Sequence, residues 1–177
     1  MDVLNDYVGF IGEGYLEAAD KLKECRFFLG LMERTTHFDH FRWFTSAFLS
    51  AARAVPDWLA TSANYAIPGD GPWDMEEDPQ AIRILKKHFG VVSRAPKSGK
   101  VFAKDPCDPL LQKLCADRNE NAHNGPVWIK PEQVNDPCEF QFGWDNTPVI
   151  DFARGVIDRL TDIQHELRPD LNETTGA

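Results

Sequence analysis

The sequence predicts an all-α fold, a four- to five-helix up-and-down bundle with a small β-hairpin and a long irregular insertion between its second and third helices. Three observations carry that prediction. Apolar residues recur every three or four positions in four separate stretches, helix-boundary residues flank several of them, and neither βαβ alternation nor an internal repeat is present. The 177 residues suffice for a single helical domain spanning 1–177 with a sizeable core. An apolar content of 42% and a charged content of 27% are globular values and exclude a disordered chain.

The first stripe is Ile11, Tyr15, Ala18, Leu22, Cys25, Leu29 and Met32. Glycines at 9, 12 and 14 weaken helix before it, so the first helix is expected over about 13–34. Asp39 offers an N-cap for the second, whose stripe is Phe41, Phe44, Phe48, Ala51 and Val55. Beside it, Ser46, Ala47, Ser50 and Ala54 leave room for a neighbouring helix to approach closely. Pro56 removes one backbone hydrogen bond and is expected to end or kink this helix, with Trp58 and Leu59 adding one further turn.

From about 62 to 108 the pattern fails at Pro68, Gly69, Gly71, Pro72 and Pro79, and only 78–89 looks like a short helix. This is the insertion. The third long helix is bounded by Asp108 as N-cap, Pro109 as first residue and Gly125-Pro126 as stop, and should cover about 109–123. Val127, Trp128 and Ile129, then Glu139-Phe140-Gln141-Phe142, read as the hairpin. Thr147 and Pro148 open a last helix with the stripe Val149, Phe152, Val156, Leu160, Ile163 and Leu167, ending before Pro169 and leaving 170–177 as a tail.

The net charge is −9, which opposes coating DNA or an anionic membrane through bulk charge but leaves room for a local cationic site. Arg83, Lys86, Lys87, Arg94, Lys97, Lys100 and Lys104 supply seven positive charges in a segment without Asp or Glu, so the rest of the chain carries −16. The segment is either a solvated, basically decorated loop or one that contacts a polyanion. On the second reading, Arg94, Lys97, Lys100 and Lys104 bind substrate. With no apolar run of about 18 residues and no basic start beside Met1, Asp2, Asn5 and Asp6, the chain is expected in the cytoplasm without membrane contact. Cys25, Cys107, Cys115 and Cys138 form no CxxC pair and are expected to be reduced, mostly buried thiols. Asn172-Glu173-Thr174 is a glycosylation sequon without meaning in that compartment.

Chemistry concentrates on the third long helix. At about 100° per residue, Leu110, Leu111, Leu114, Cys115 and Ala122 share an arc of about 140° with Arg118 in its middle. A guanidinium cannot lose its proton, so Arg118 is expected to face a carboxylate, an interface or a polar pocket. Asn119 and His123 lie about 40° apart at the border of that face, and Glu120 points the other way. Other candidates carry less. His37 and His40 lack a metal-binding constellation and fit surface or capping roles, and no metal or cofactor is expected. Ser98-Gly99-Lys100 lacks the upstream glycine of a phosphate-binding loop. Trp73, Trp128 and Trp144 either stack bases or pack locally, and Cys115 reads as core.

Arg118-Asn119 followed by His123 resembles the signature of HEPN domains, an Arg, a polar residue that is usually Asn, and a His after four to six residues. The segment from Phe41 to Val55, FRWFTSAFLSAARAV, is similar to the second helix of many prokaryotic members, and the resemblance covers most of the chain. It implies a bundle that dimerises, bringing the Arg-Asn-His sets of two protomers around one cleft. Many members are metal-independent endoribonucleases acting as toxins or antiviral effectors, whereas others are non-catalytic scaffolds. The resemblance thus implies Arg118, Asn119 and His123 as catalytic residues, RNA as substrate, and an antitoxin or other protein as partner. On the scaffold alternative, Arg118 and Asn119 satisfy hydrogen bonds in a dimer interface, and His123 is favoured at a helix C-terminus by the dipole.

Overall fold

A computed structural model of the chain describes residues 3–65, 80–94, 101–104, 106–123 and 125–173. Among these, the order is α1 (Val3–Met32), α2 (Phe38–Tyr65), α3 (Gln80–Phe89), β1 (Val91–Arg94), β2 (Val101–Lys104), α4 (Pro109–His123), β3 (Ile129–Lys130), β4 (Gln141–Phe142) and α5 (Val149–Glu173). The fold is all-α with a small β-hairpin, as the periodicity predicts. Residues 33–37 turn the chain between α1 and α2, which pack along each other as an αα-hairpin. Leu22, Cys25 and Met32 of α1, Phe41, Phe48, Ala52 and Val55 of α2, and Phe152, Val156, Leu160 and Ile163 of α5 are buried in one core. Arg26 reaches across to the Thr161 hydroxyl (3.0 Å), and α4 packs on both α2 and α5.

Where the boundaries differ from expectation, packing has overridden a local cost. α1 begins at Val3, with glycines 9, 12 and 14 inside it, although each glycine costs up to about 1 kcal/mol relative to alanine. Propagation from a packed segment is cheap, whereas nucleation is not. α2 begins before Asp39, and His37 is its cap: the His37 carbonyl accepts from Phe41 N–H (2.9 Å), its Nδ1 accepts from His40 N–H (3.5 Å), and Asp39 instead pairs with Arg42 (3.1 Å). Pro56 neither ends α2 nor lies at its surface; it is buried within a helix that continues to Tyr65. Likewise α5 passes through Pro169 to Glu173, four residues into the expected tail. Residues 174–177 lie outside the described residues.

The described part of the insertion after residue 79 is regular rather than irregular. α3 matches the expected short helix, and β1 and β2 form an antiparallel ribbon with Val91 opposite Lys104 and Arg94 opposite Val101. Short strands rich in neither turn signals nor alternation escape pattern reading. The expected mostly buried thiols are also corrected: Cys25 alone is buried, with burial pushing its thiol up to about 12, while Cys115 is half-buried and Cys107 and Cys138 are exposed.

α4 starts as predicted, with the Asp108 carboxylate accepting from Leu110 N–H (2.8 Å) and its carbonyl from Gln112 N–H (2.9 Å). A charge cluster then holds it. Lys113 Nζ salt-bridges Asp145 in the turn after β4, lies 3.0 Å from Asp117 Oδ2, and sits over the rings of Phe142 (4.4 Å), Phe152 (5.4 Å) and Trp144 (5.7 Å). Asp117 is only 4% exposed, and its Oδ2 has no well-aligned hydrogen bond despite the ion contact. Burial pushes the Asp117 carboxyl up against the pull of Lys113. At Asp145 burial acts the same way, but hydrogen bonds from Lys113 and Thr147 outweigh it and hold that carboxyl below its usual range. Lys113→Met would strand the buried Asp117 and cost about 3 kcal/mol. In urea titrations, the double variant with Asp117→Asn should regain more than about 1 kcal/mol of that loss.

α3 is fastened to α5 by His88 Nε2 and Lys87 Nζ, at 3.0 and 3.4 Å from Glu166 Oε2. The His88 hydrogen bond, partly opposed by burial, pulls the Glu166 carboxyl below its ordinary 4.5. A carboxylate lowered by folding stabilises fully above its unfolded value and loses that contribution as the pH falls through the folded one. Glu166→Gln should therefore lower Tm at pH 7, with the gap from the parent closing as the pH drops below 4.5.

Candidate functional site at the end of helix α4

The buried residues of α4 are Leu111, Leu114 and Asp117. At about 100° per residue, the centre of that face lies about 40° from Arg118, about 20° from Asn121, about 140° from Asn119 and about 180° from His123. Arg118 is therefore at the edge of the buried face and half-buried, where the sequence puts it in the middle. Ala122 is exposed and Cys115 half-buried, so neither belongs to the core stripe. The cluster around Lys113 has turned the helix toward Asp117.

A side-chain hydrogen bond joins α4 to α2, and two more run along the α2 surface beside it. Asn121 Nδ2 donates to Ser46 Oγ (2.7 Å), while Ser50 Oγ donates to the Ser46 carbonyl (3.1 Å). Of the small residues of α2, Ser46 is thus met by α4. Arg53 Nη1 donates to Asp57 Oδ1 (2.7 Å), one turn along α2. Burial pushes the Asp57 carboxyl up, and Arg53 and then, more weakly, the Arg118 charge pull it down. Sequence reasoning missed both Asp57 and Asn121. Their available signals were the Arg53/Asp57 spacing of four and the place of Asn121 on the inward side of α4.

Of the three residues expected to be catalytic, Arg118 and Asn119 touch, with Arg118 Nη1 donating to Asn119 Oδ1 at 3.3 Å. His123 is exposed on the last turn and has no hydrogen-bond or ion-pair partner among the described residues. Gly125 follows with φ of 118°, a left-handed value that ends the helix. The α4 C-terminus thus offers a fixed cation, an amide and an imidazole to solvent, with the helix dipole favouring positive charge there.

The other candidates separate. Arg94 and Lys104 lie at opposite ends of the β1–β2 ribbon, and β2 runs along α2, the helix that α4 also packs on. Lys97 and Lys100, with the Ser98-Gly99-Lys100 stretch, lie outside the described residues, as does Trp73. Lys87 is engaged by Glu166, and Arg83 is exposed. The His37 and His40 rings stack 4.2 Å apart, and no group of three or more His, Cys, Asp or Glu able to hold a metal ion occurs among the described residues. No helix among them is long and apolar enough to cross a membrane. Trp144 stacks on Phe142 (5.3 Å), whereas Trp128 remains largely exposed.

Comparison of the chain with protein-family models, with curated proteins and with solved structures found no match.

The contacts divide the motif into bridging and surface positions. Asn121→Ala should cost about 1 kcal/mol by urea unfolding, the worth of one hydrogen bond. Asn119→Ala and His123→Ala should each stay within about 0.5 kcal/mol of the parent.

Proposed function

We propose that the protein is a metal-independent endoribonuclease of HEPN type, acting in the cytoplasm as a toxin or defence effector and as a homodimer. The observation that carries this reading is the α4 C-terminus, where Arg118 and Asn119 are joined at 3.3 Å and His123 stands exposed and unpartnered among the described residues. An imidazole titrates near neutrality and is suited to moving a proton. His123 takes the proton of a ribose 2′-hydroxyl, whose oxygen attacks the adjoining phosphorus. The bond from phosphorus to the 5′-oxygen breaks, and that oxygen takes a proton from water or from the second copy's imidazole. A 2′,3′-cyclic phosphate and a 5′-hydroxyl result. Arg118 stabilises the charge that develops on the phosphate oxygens, and Asn119 orients the Arg118 guanidinium or a phosphate oxygen. Arg94, Lys97, Lys100 and Lys104 supply local attraction for RNA on an otherwise acidic body.

One observation favours a second reading. Asn121 of the same segment bridges to Ser46, so part of that segment serves helix packing. On that reading the protein is a non-catalytic HEPN-like scaffold whose antitoxin or partner protein binds this face. The experiment that separates the two uses mixed single-stranded and structured RNA in EDTA. A nuclease yields cyclic-phosphate ends, and His123→Ala cuts at least about 10²-fold more slowly with helix content and oligomeric state unchanged. A scaffold leaves all RNA intact, and its dimer weakens on Arg118→Ala.

A further inference from the structure

Trp128 is 59% exposed, second only to Phe27 among the large apolar side chains of the described residues. It is nevertheless held in place. Gly143 N–H donates to the Trp128 carbonyl (2.8 Å), which extends the β3–β4 ribbon by one residue pair beyond Ile129 and Phe142. The indole lies against Gly143 so closely that a Cβ there would stand 2.3, 2.5 and 2.6 Å from its Cδ2, Cε2 and Cγ. Only glycine admits the ring in this position. One side of the indole is thus spent on backbone, while much of the ring stays open to solvent.

Strand alternation sets what surrounds it. Ile129 is buried, so Trp128 and Lys130 share the outer side of β3. Lys130 has no ion-pair partner among the described residues, which leaves a cation two residues from a flat, fixed ring. Stacking platforms for single-stranded nucleic acid combine these two elements. The exposed carboxylates Glu132, Asp136 and Glu139 in the connection to β4 repel a phosphate backbone running over the loop, which limits the platform to one base. Trp128 lies five positions after His123, a reach of at most about 18 Å and hence about five stacked nucleotides at 3.4 Å each.

We infer that Trp128, laid flat by Gly143 and flanked by Lys130, stacks one base of single-stranded RNA beside the α4 C-terminus. This rests on the reading of that helix end as an RNA site and adds a residue that binds substrate without taking part in the chemistry. The test measures binding apart from cutting, by fluorescence anisotropy of a labelled ten-nucleotide single-stranded RNA on His123→Ala protein. Adding Trp128→Ala should weaken binding about tenfold, whereas Trp128→Phe should retain most of it. Gly143→Ala should weaken it comparably with Trp128 still present, and circular dichroism melts identify any variant that has lost its fold. Equal affinity in Trp128→Ala overturns the platform and leaves the nuclease reading standing. RNA binding that depends on Trp128 in a protein whose wild type does not cut upholds the platform and sinks the nuclease. If the His123→Ala protein binds no RNA, the platform falls, and wild-type cutting is decided separately by its cyclic-phosphate ends. Conversion of a dimer to a monomer by Trp128→Ala makes a second copy the occupant of the ring and also overturns the inference.

Discussion

Lys113 is the constraint on which the geometry of α4 depends. Its ammonium is shared by Asp117 on its own helix and Asp145 in the turn before α5, above three aromatic rings. Moving ions out of water costs several kcal/mol each, and a buried carboxylate tolerates that cost only beside a compensating cation. The arrangement consequently has little freedom: rotating α4 by one residue would carry Lys113 from Asp145 and Leu114 from the core. Packing of Phe142 against Phe152 (5.3 Å) then fixes the β3–β4 ribbon to α5 in the same neighbourhood.

With the rotation of α4 set from its first half, the second half has its orientation imposed. Asn121 falls on the inward side and meets Ser46, Arg118 falls at the edge near Asp57, and Asn119 and His123 face solvent. The proposed site is therefore a by-product of a structural clamp on the same helix, with Lys113 about one to three turns before its residues and a rigid helix as the connection. Its supporting charges follow the same logic. A body of −16 restrains non-specific attraction of polyanions, and the basic segment from Arg83 to Lys104 folds partly into a ribbon whose β2 strand lies along α2, the helix that also receives α4.

Much of this was legible in one dimension. The bounds of α4 follow from Asp108, Pro109 and Gly125 because a cap, a proline without N–H and a left-handed glycine act within one turn of the chain. The burial stripes of α1, α2 and α5 follow from periodicity for the same reason: each is a repeat along a single helix. Pro56, Pro169 and the early glycines were misleading because their costs are local, about 1 kcal/mol for a glycine and about 3 for a proline, whereas the packing that offsets them comes from other helices. The β1–β2 ribbon and the exposure of Cys107 and Cys138 were invisible for a related reason, since neighbours distant in sequence decide both.

The candidate site divides along the same line. By itself the sequence determined that an Arg, an Asn and a His would lie within the last two turns of a helix ending at residue 123, because spacing on a helix is a property of the chain. Tertiary structure alone decided which way they face, placed Ser46 against Asn121, and laid Trp128 on Gly143. Rotation about a helix axis and the approach of one backbone to an indole are set by where buried charge and apolar surface find partners. Those partners lie dozens of residues away or across a ribbon, and no local pattern encodes them.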